Sequence, residues 1–166
     1  MADGSALVDA ETALRTYLLT DNVQSYLTGN SGSTVKVFTH EFNSDRENVP
    51  NTCIMVRDVG GIGDSYLNLD DPFVQVWVRS DSVSTAKTLM ARVDDKLHRL
   101  GPKAISDDVF CLTMLRNTDK QRLDDPDSQL VQYFVIYNTV MRRRYLVGIK
   151  QFNSAFDSSH AIGFNI

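Results

Sequence analysis

The sequence predicts an α+β fold, a mostly antiparallel sheet of about five strands with two helices packed on one face, and three observations support it. A strand pattern runs straight into a helix pattern between Pro72 and Leu100, four further stretches alternate as strands do, and one further stretch near the start repeats at helical spacing.

In the first of these, Phe73, Gln75, Trp77 and Arg79 fall on one side of an extended chain and Val74, Val76 and Val78 on the other. Both sides are largely apolar, which suits a strand in the middle of the sheet, covered on both faces. Ser80-Asp81-Ser82 then offers capping oxygens, and Val83, Ala86, Met90, Val93, Leu97 and Leu100 recur at steps of three and four. This is an amphipathic helix, and Gly101-Pro102 is expected to stop it.

Taken in order, Leu7, Ala10, Leu14, Tyr17 and Leu18 mark a first helix over Ala6–Thr20, with Ser5 or Asp9 as its cap. A further short helical turn is expected over Val23–Leu27, before Gly29-Asn30-Ser31-Gly32-Ser33. Val35–Thr39 alternates as a short strand, residues 40–51 read as a polar connection, and Thr52–Arg57 is a second strand. Gly60-Gly61-Ile62-Gly63-Asp64 reads as a turn or hairpin tip, ahead of the central strand. Val109–Arg116 and Leu130–Arg142 complete the sheet, the last being the longest strand. Leu-Asp-Asp-Pro occurs at Leu69–Pro72 and at Leu123–Pro126, and each is read as the turn that starts a strand.

At 166 residues and 42% hydrophobic residues, one core and one domain are expected, over 1–144, with 145–166 as an extended C-terminal arm. That arm is rich in Ser and Asn but carries isolated apolar residues, among them Phe152 and Phe156, so it suits docking onto a neighbouring surface. The net charge of -4 lacks the basic excess of a general nucleic-acid binder. No run approaches the ~18 apolar residues of a bilayer span, and the opening MADGSALVDAET has no cationic segment leading an apolar one. A soluble chain made in a cytoplasm, with no membrane contact, is the expectation. Cys53 and Cys111 lie among apolar strand residues and are read as reduced core residues, with a single bridge between them as the alternative.

The residues do not assemble a catalytic pattern. His40, His98 and His160 have no metal-type spacing, and Gly60-Gly61-Ile62-Gly63 lacks the lysine of a phosphate loop and the spacing of a dinucleotide-binding turn. No Ser or Cys sits in a nucleophile elbow. Asp70-Asp71 and Asp124-Asp125 with Asp127 lack the ligand order of a calcium loop and are read as solvated turn acids, and Asp94-Asp95 as the solvent face of the long helix. Neither an enzyme nor a cofactor or metal is expected. The strongest local charge signal is Arg142-Arg143-Arg144, which would contact nucleic-acid phosphates, pair with acidic loops of another subunit, or be solvated. Asp64, Asp70, Asp71, Asp124, Asp125 and Asp127 are its natural partners across a head-to-tail contact.

The opening AETALRTYLL with VQSYL, the strand KVFTHEF, the phrase VPNTCIMVRDVGG, the run DPFVQVWVRSDSVSTAKTLMARVDDKLHRL and the strand QLVQYFVIYNTVMRR follow one another from about Leu7 to Arg143. In this order they resemble the tail terminator, or tail completion, proteins of long-tailed bacteriophages. The resemblance implies a virion protein of the neck, assembled in the host cytoplasm into a homohexameric ring. Such a ring caps the tail tube, stops its polymerisation and docks the head-side connector, while DNA passes through the lumen without specific binding. The partners implied are further copies of the chain, the tail-tube protein and the connector, with contacts through the loops at Gly60–Asp70 and Arg116–Ser128 and through the arm. Another neck component or the tail-tube protein itself is the nearest alternative, and a small metal-dependent hydrolase or ligand-binding domain at Asp70-Asp71 is the alternative from another class.

Overall fold

The computed structural model describes residues 8–29, 34–39, 49–64, 69–124 and 129–143. The chain opens with helices α1 (Ala10–Leu18) and α2 (Asp21–Thr28) and strands β1 (Lys36–Thr39), β2 (Cys53–Asp64) and β3 (Leu69–Ser80). Helix α3 (Val83–Leu97) follows, then strands β4 (Lys103–Ala104), β5 (Val109–Arg116), β6 (Gln121–Asp124) and β7 (Val131–Arg143). One sheet contains every strand, in the order β1-β2-β3-β7-β5-β4, and β6 lies beside the first part of β7. Only the β1–β2 pairing is parallel; the others are antiparallel.

The α+β class and the central place of β3 agree with expectation, but the described residues hold three helices and seven strands where two and about five were expected. The additions are short and carry little pattern: β4 is Lys-Ala, and β6 is Gln-Arg-Leu-Asp with every residue exposed. Two residues cannot display a period of two. The expected turn at Val23–Leu27 is a full helix, α2, tied down by one buried amide. Gln24 donates to the carbonyls of Leu18 (2.8 Å) and Val35 (3.1 Å) and accepts from the Val35 N–H (3.1 Å), joining the end of α1 to the entry of β1.

Helix boundaries follow the caps. Asp9 accepts from the Thr12 N–H at 2.9 Å and starts α1, and Ser82 accepts from the Thr85 N–H and starts α3. Helix α3 ends at Leu97, before the expected Gly101. Gly101 serves the next turn: its φ is +124°, and a Cβ there would collide with the Leu112 carbonyl of β5.

The alternation in β3 sorts the two faces of the sheet. Val74, Val76 and Val78 are fully buried, as are Ile54 and Val56 of β2 and Val135, Tyr137 and Met141 of β7. Against this face lie Leu14, Tyr17 and Leu18 of α1 and Ala86, Leu89, Met90, Val93 and Leu97 of α3, in one continuous core. On the opposite face, Trp77 is registered with Met55 on one side and Phe134 on the other, and its ring stacks on Phe134 with centroids 4.5 Å apart. Phe73 is 38% exposed there, and Gln75, Arg79 and Ile136 are half-buried. The two cysteines are free and buried. They lie on opposite faces, since Cys53 is registered with Arg79 on the Trp77 side and Cys111 with Met141 on the core side.

Candidate assembly interface

The β2–β3 hairpin bends partway along. Between Asp58 and Gly61 the register slips, placing one extra residue on β2, and Gly60 absorbs the bend with a φ of +106°. Opposite the slip, Pro72 sits inside β3 rather than starting it, a correction to the turn expected at Leu69–Pro72. A proline inside a strand interrupts the ladder. Its carbonyl is recovered by the buried Thr139 of β7, whose hydroxyl donates at 2.8 Å. At the bend Val59 is 45% exposed, and just beyond it Ile62 is 76% exposed. The residues expected to form a turn or hairpin tip at Gly60–Asp64 are therefore strand.

The base of this hairpin is anchored by carboxylates. Glu11 of α1, 6% exposed, accepts from the Asp58 N–H at 2.6 Å. Asp70 accepts from the Val8 N–H at 2.8 Å, so this acid secures the approach to α1. Asp71 is exposed. A shallow groove of about 190 Å³ runs between Val8, Asp58, Ile62 and Pro72.

Strand β7 separates the sequence-predicted contact residues. Leu69 is registered with Arg142 and Asp70 with Met141, so the hairpin acids lie beside the arginine end. Arg142 and Arg143 are exposed, and the Arg142 guanidinium lies 5.1 Å from the centre of the Phe110 ring. Asp124 is registered with Val131 at the other end of β7, eleven residues from Arg142, or roughly 36 Å at ~3.3 Å per residue. There it is bonded by Arg122 Nε at 2.8 Å, an exposed pair of small energetic weight. Asp64 lies in β2, where only its backbone is described; Asp125, Asp127, Arg144, Phe152 and Phe156 lie outside the described residues.

One charged cluster escaped the sequence reading. Asp94 is 8% exposed and is not on the solvent face of α3. One carboxylate oxygen accepts from the Tyr137 hydroxyl at 2.9 Å; the other takes Arg116 at 2.8 Å and Lys120 at 3.3 Å. The cluster ties α3 to β7 and to the segment between β5 and β6. Burial, then the adjacent Asp94 charge, raises the Tyr137 pKa well above the ordinary tyrosine value, so the phenol stays a donor. The signal was present in the spacing, since Asp94 stands four residues after Met90 and three before Leu97, on the buried stripe. Beside it, His98 Nδ1 accepts from the Arg116 N–H at 3.1 Å. Among the described residues no three His, Cys, Asp or Glu side chains gather as metal ligands, and no helix is long and apolar enough to cross a membrane.

The described residues thus give a bent β2–β3 hairpin, a sheet with helices on one face, and exposed arginines at the end of β7. The same fold is found in a chain from the virion of a native gene transfer agent (GTA) particle, with a TM-score of 0.57 and 15% identity over 80% of this chain and 94% of that one. No curated protein matches the sequence. The family model described as bacteriophage tail terminator protein matches residues 22–127, and the chain belongs to that family. It is thus a structural protein of the phage tail and neck, a virion component.

Proposed function

We propose that this protein is the terminator subunit itself, forming a ring, a hexamer as the family resemblance implies, that caps the tail tube, halts its polymerisation and offers the head-side connector a docking surface while DNA passes through. The observation that carries this reading is the family match over residues 22–127, which takes in α2, β1 to β6 and both strands of the bent hairpin. A virion role without catalysis accords with it.

Closure of a ring needs two unlike patches on each copy, held apart. Candidate patches are Arg142 and Arg143 with Asp70 and Asp71 at one end of β7 and Asp124 at the other; Asp64, Arg144, Asp125 and Asp127 are proposed as contact residues from the sequence alone. Phe152 and Phe156 on the arm are proposed as further anchors to a neighbour or to the tube. The acidic balance of the chain would let DNA slide through a lumen, because basic contacts hold nucleic acid by counterion release.

Mass in solution combined with negative-stain imaging tests the reading. Rings are expected, alone or on a tube-protein template; compact monomers that persist in the presence of tube protein would refute it. A thermal-shift screen with divalent cations and nucleotides addresses the hydrolase or ligand-binding alternative, which a saturable stabilisation would favour.

A further inference from the structure

Among the described residues, two stretches of strand backbone have no strand on one side, at opposite sides of the sheet. Strand β1 pairs with β2 only over Cys53–Val56, so the stretch of β2 from Gly61 to Asp64 has, among the described residues, β3 on one side and no strand on the other. Strand β6 pairs with β7 alone, and its second side is likewise open among the described residues. Each stretch is four residues long.

The direction of the backbone groups follows from hydrogen bonds already described. Pro72 has no N–H, and its carbonyl is bonded by Thr139 on the β7 side, so its partner Gly61 belongs to a pair that exchanges no ladder bond. Gly61, and Gly63 two residues on, therefore turn their N–H and C=O groups outward. On the far side, the Asn117 N–H donates to the Ile136 carbonyl at 2.8 Å, so Ile136 faces the β5–β6 side of β7, as do Phe134 and Gln132 at successive steps of two. These bond Gln121 and Leu123, which leaves Arg122 and Asp124 turned outward.

We infer that the occupant of the β2 edge is strand β6 of a second copy, added by backbone pairing, so that the sheet continues from one copy into the next. The match is of length and periodicity: two outward residues, two apart, on each edge. The two edges are unlike and lie at diagonal corners of one sheet, the arrangement that gives head-to-tail rather than twofold contact. Gly61–Asp64 has no lysine and no proline and exposes Ile62, and the bulge that can turn an edge away lies just before it, between Asp58 and Gly61. Glu11 closes the preceding position by occupying the Asp58 N–H. The inference rests on the ring reading and specifies its contact.

The test removes one outward N–H from each edge, a change that an open edge tolerates within the fold. Gly63→Pro and Arg122→Pro are each expected to leave thermal unfolding near that of the unaltered chain and to abolish rings in sedimentation and negative stain. Mixed one to one, where the unaltered chain assembles, they should give a heterodimer and nothing larger, since each retains the edge the other lacks. Ile62→Lys serves for the β2 edge if Gly63→Pro fails to fold. Rings from either folded variant would overturn the strand pairing and leave the ring intact, and so would dimers of Arg122→Pro alone or a mixture with no heterodimer. An unaltered chain that stays monomeric with tube protein present would remove both readings.

Discussion

At Asp94, one carboxylate satisfies a buried phenol from β7, a guanidinium from the end of β5 and an ammonium from the segment between β5 and β6, so removing it strands several groups at once. Asp94→Ala is expected to cost about 3 kcal/mol in urea unfolding, the range for breaking a buried pair from one side. Asp94→Asn, which keeps an acceptor for Tyr137, should cost about half that. Cys111 gives a pH signature. Burial pushes its thiol up to about 11 from an ordinary value of 9.0, so the folded form resists losing a proton that the unfolded chain gives up. The unfolded chain then binds fewer protons, and the stability that is intact below pH 9 should fall between pH 9 and about 11. Burial raises Tyr17 as well and adds to this slope. Chemical unfolding at stepped pH measures the fall, and Cys111→Ala should make it shallower. The buried placement of both cysteines was legible in the sequence from their apolar neighbours. That of Asp94 was missed because adjacency to Asp95 suggested a solvated pair, although helical spacing separates the two.

At the scale of elements, patterns that repeat were legible and those that do not were not. Strands β3 and β7 and helix α3 announced themselves through alternation and stride, because burial of one face imposes a period. The short strands β4 and β6 owe their existence to neighbours: β6 is recruited by β7 and buries nothing of its own. The tip expected at Gly60 turned out to be a bend within a longer hairpin, because the slip in register that relieves Pro72 is a pairing event between chain segments. Gly101 is the element-level position least open to change. Gly101→Ala is expected to lower stability by about 2 to 3 kcal/mol, combining a left-handed backbone with a collision against β5, and a reduced urea midpoint at unchanged slope is the signature.

For the whole molecule, the sheet separates its tasks by place. One face holds the helices, the ends of β7 hold charge, and two corners have, among the described residues, no strand paired on their outer side. The class of fold and the central strand could be read from the chain, whereas the corners could not, since an open edge is defined by what fails to pair with it. Replacing Arg142, Arg143 and Arg144 together by Ser is expected to weaken assembly while leaving the unfolding midpoint close to that of the unaltered chain. Sedimentation alongside thermal unfolding checks this, and rings of undiminished stability would remove the arginines from the contact.

The stacked pair of Trp77 and Phe134 on the face opposite the described helices has one more consequence. Trp77 is the only tryptophan in the chain, so its fluorescence reports on that side alone. Copies that join edge to edge would leave its emission maximum where it stands in the monomer. Copies stacked face to face would dry the indole and move the maximum toward the blue, so a spectrometer and a dilution series suffice to tell a band of sheets from a pile of them.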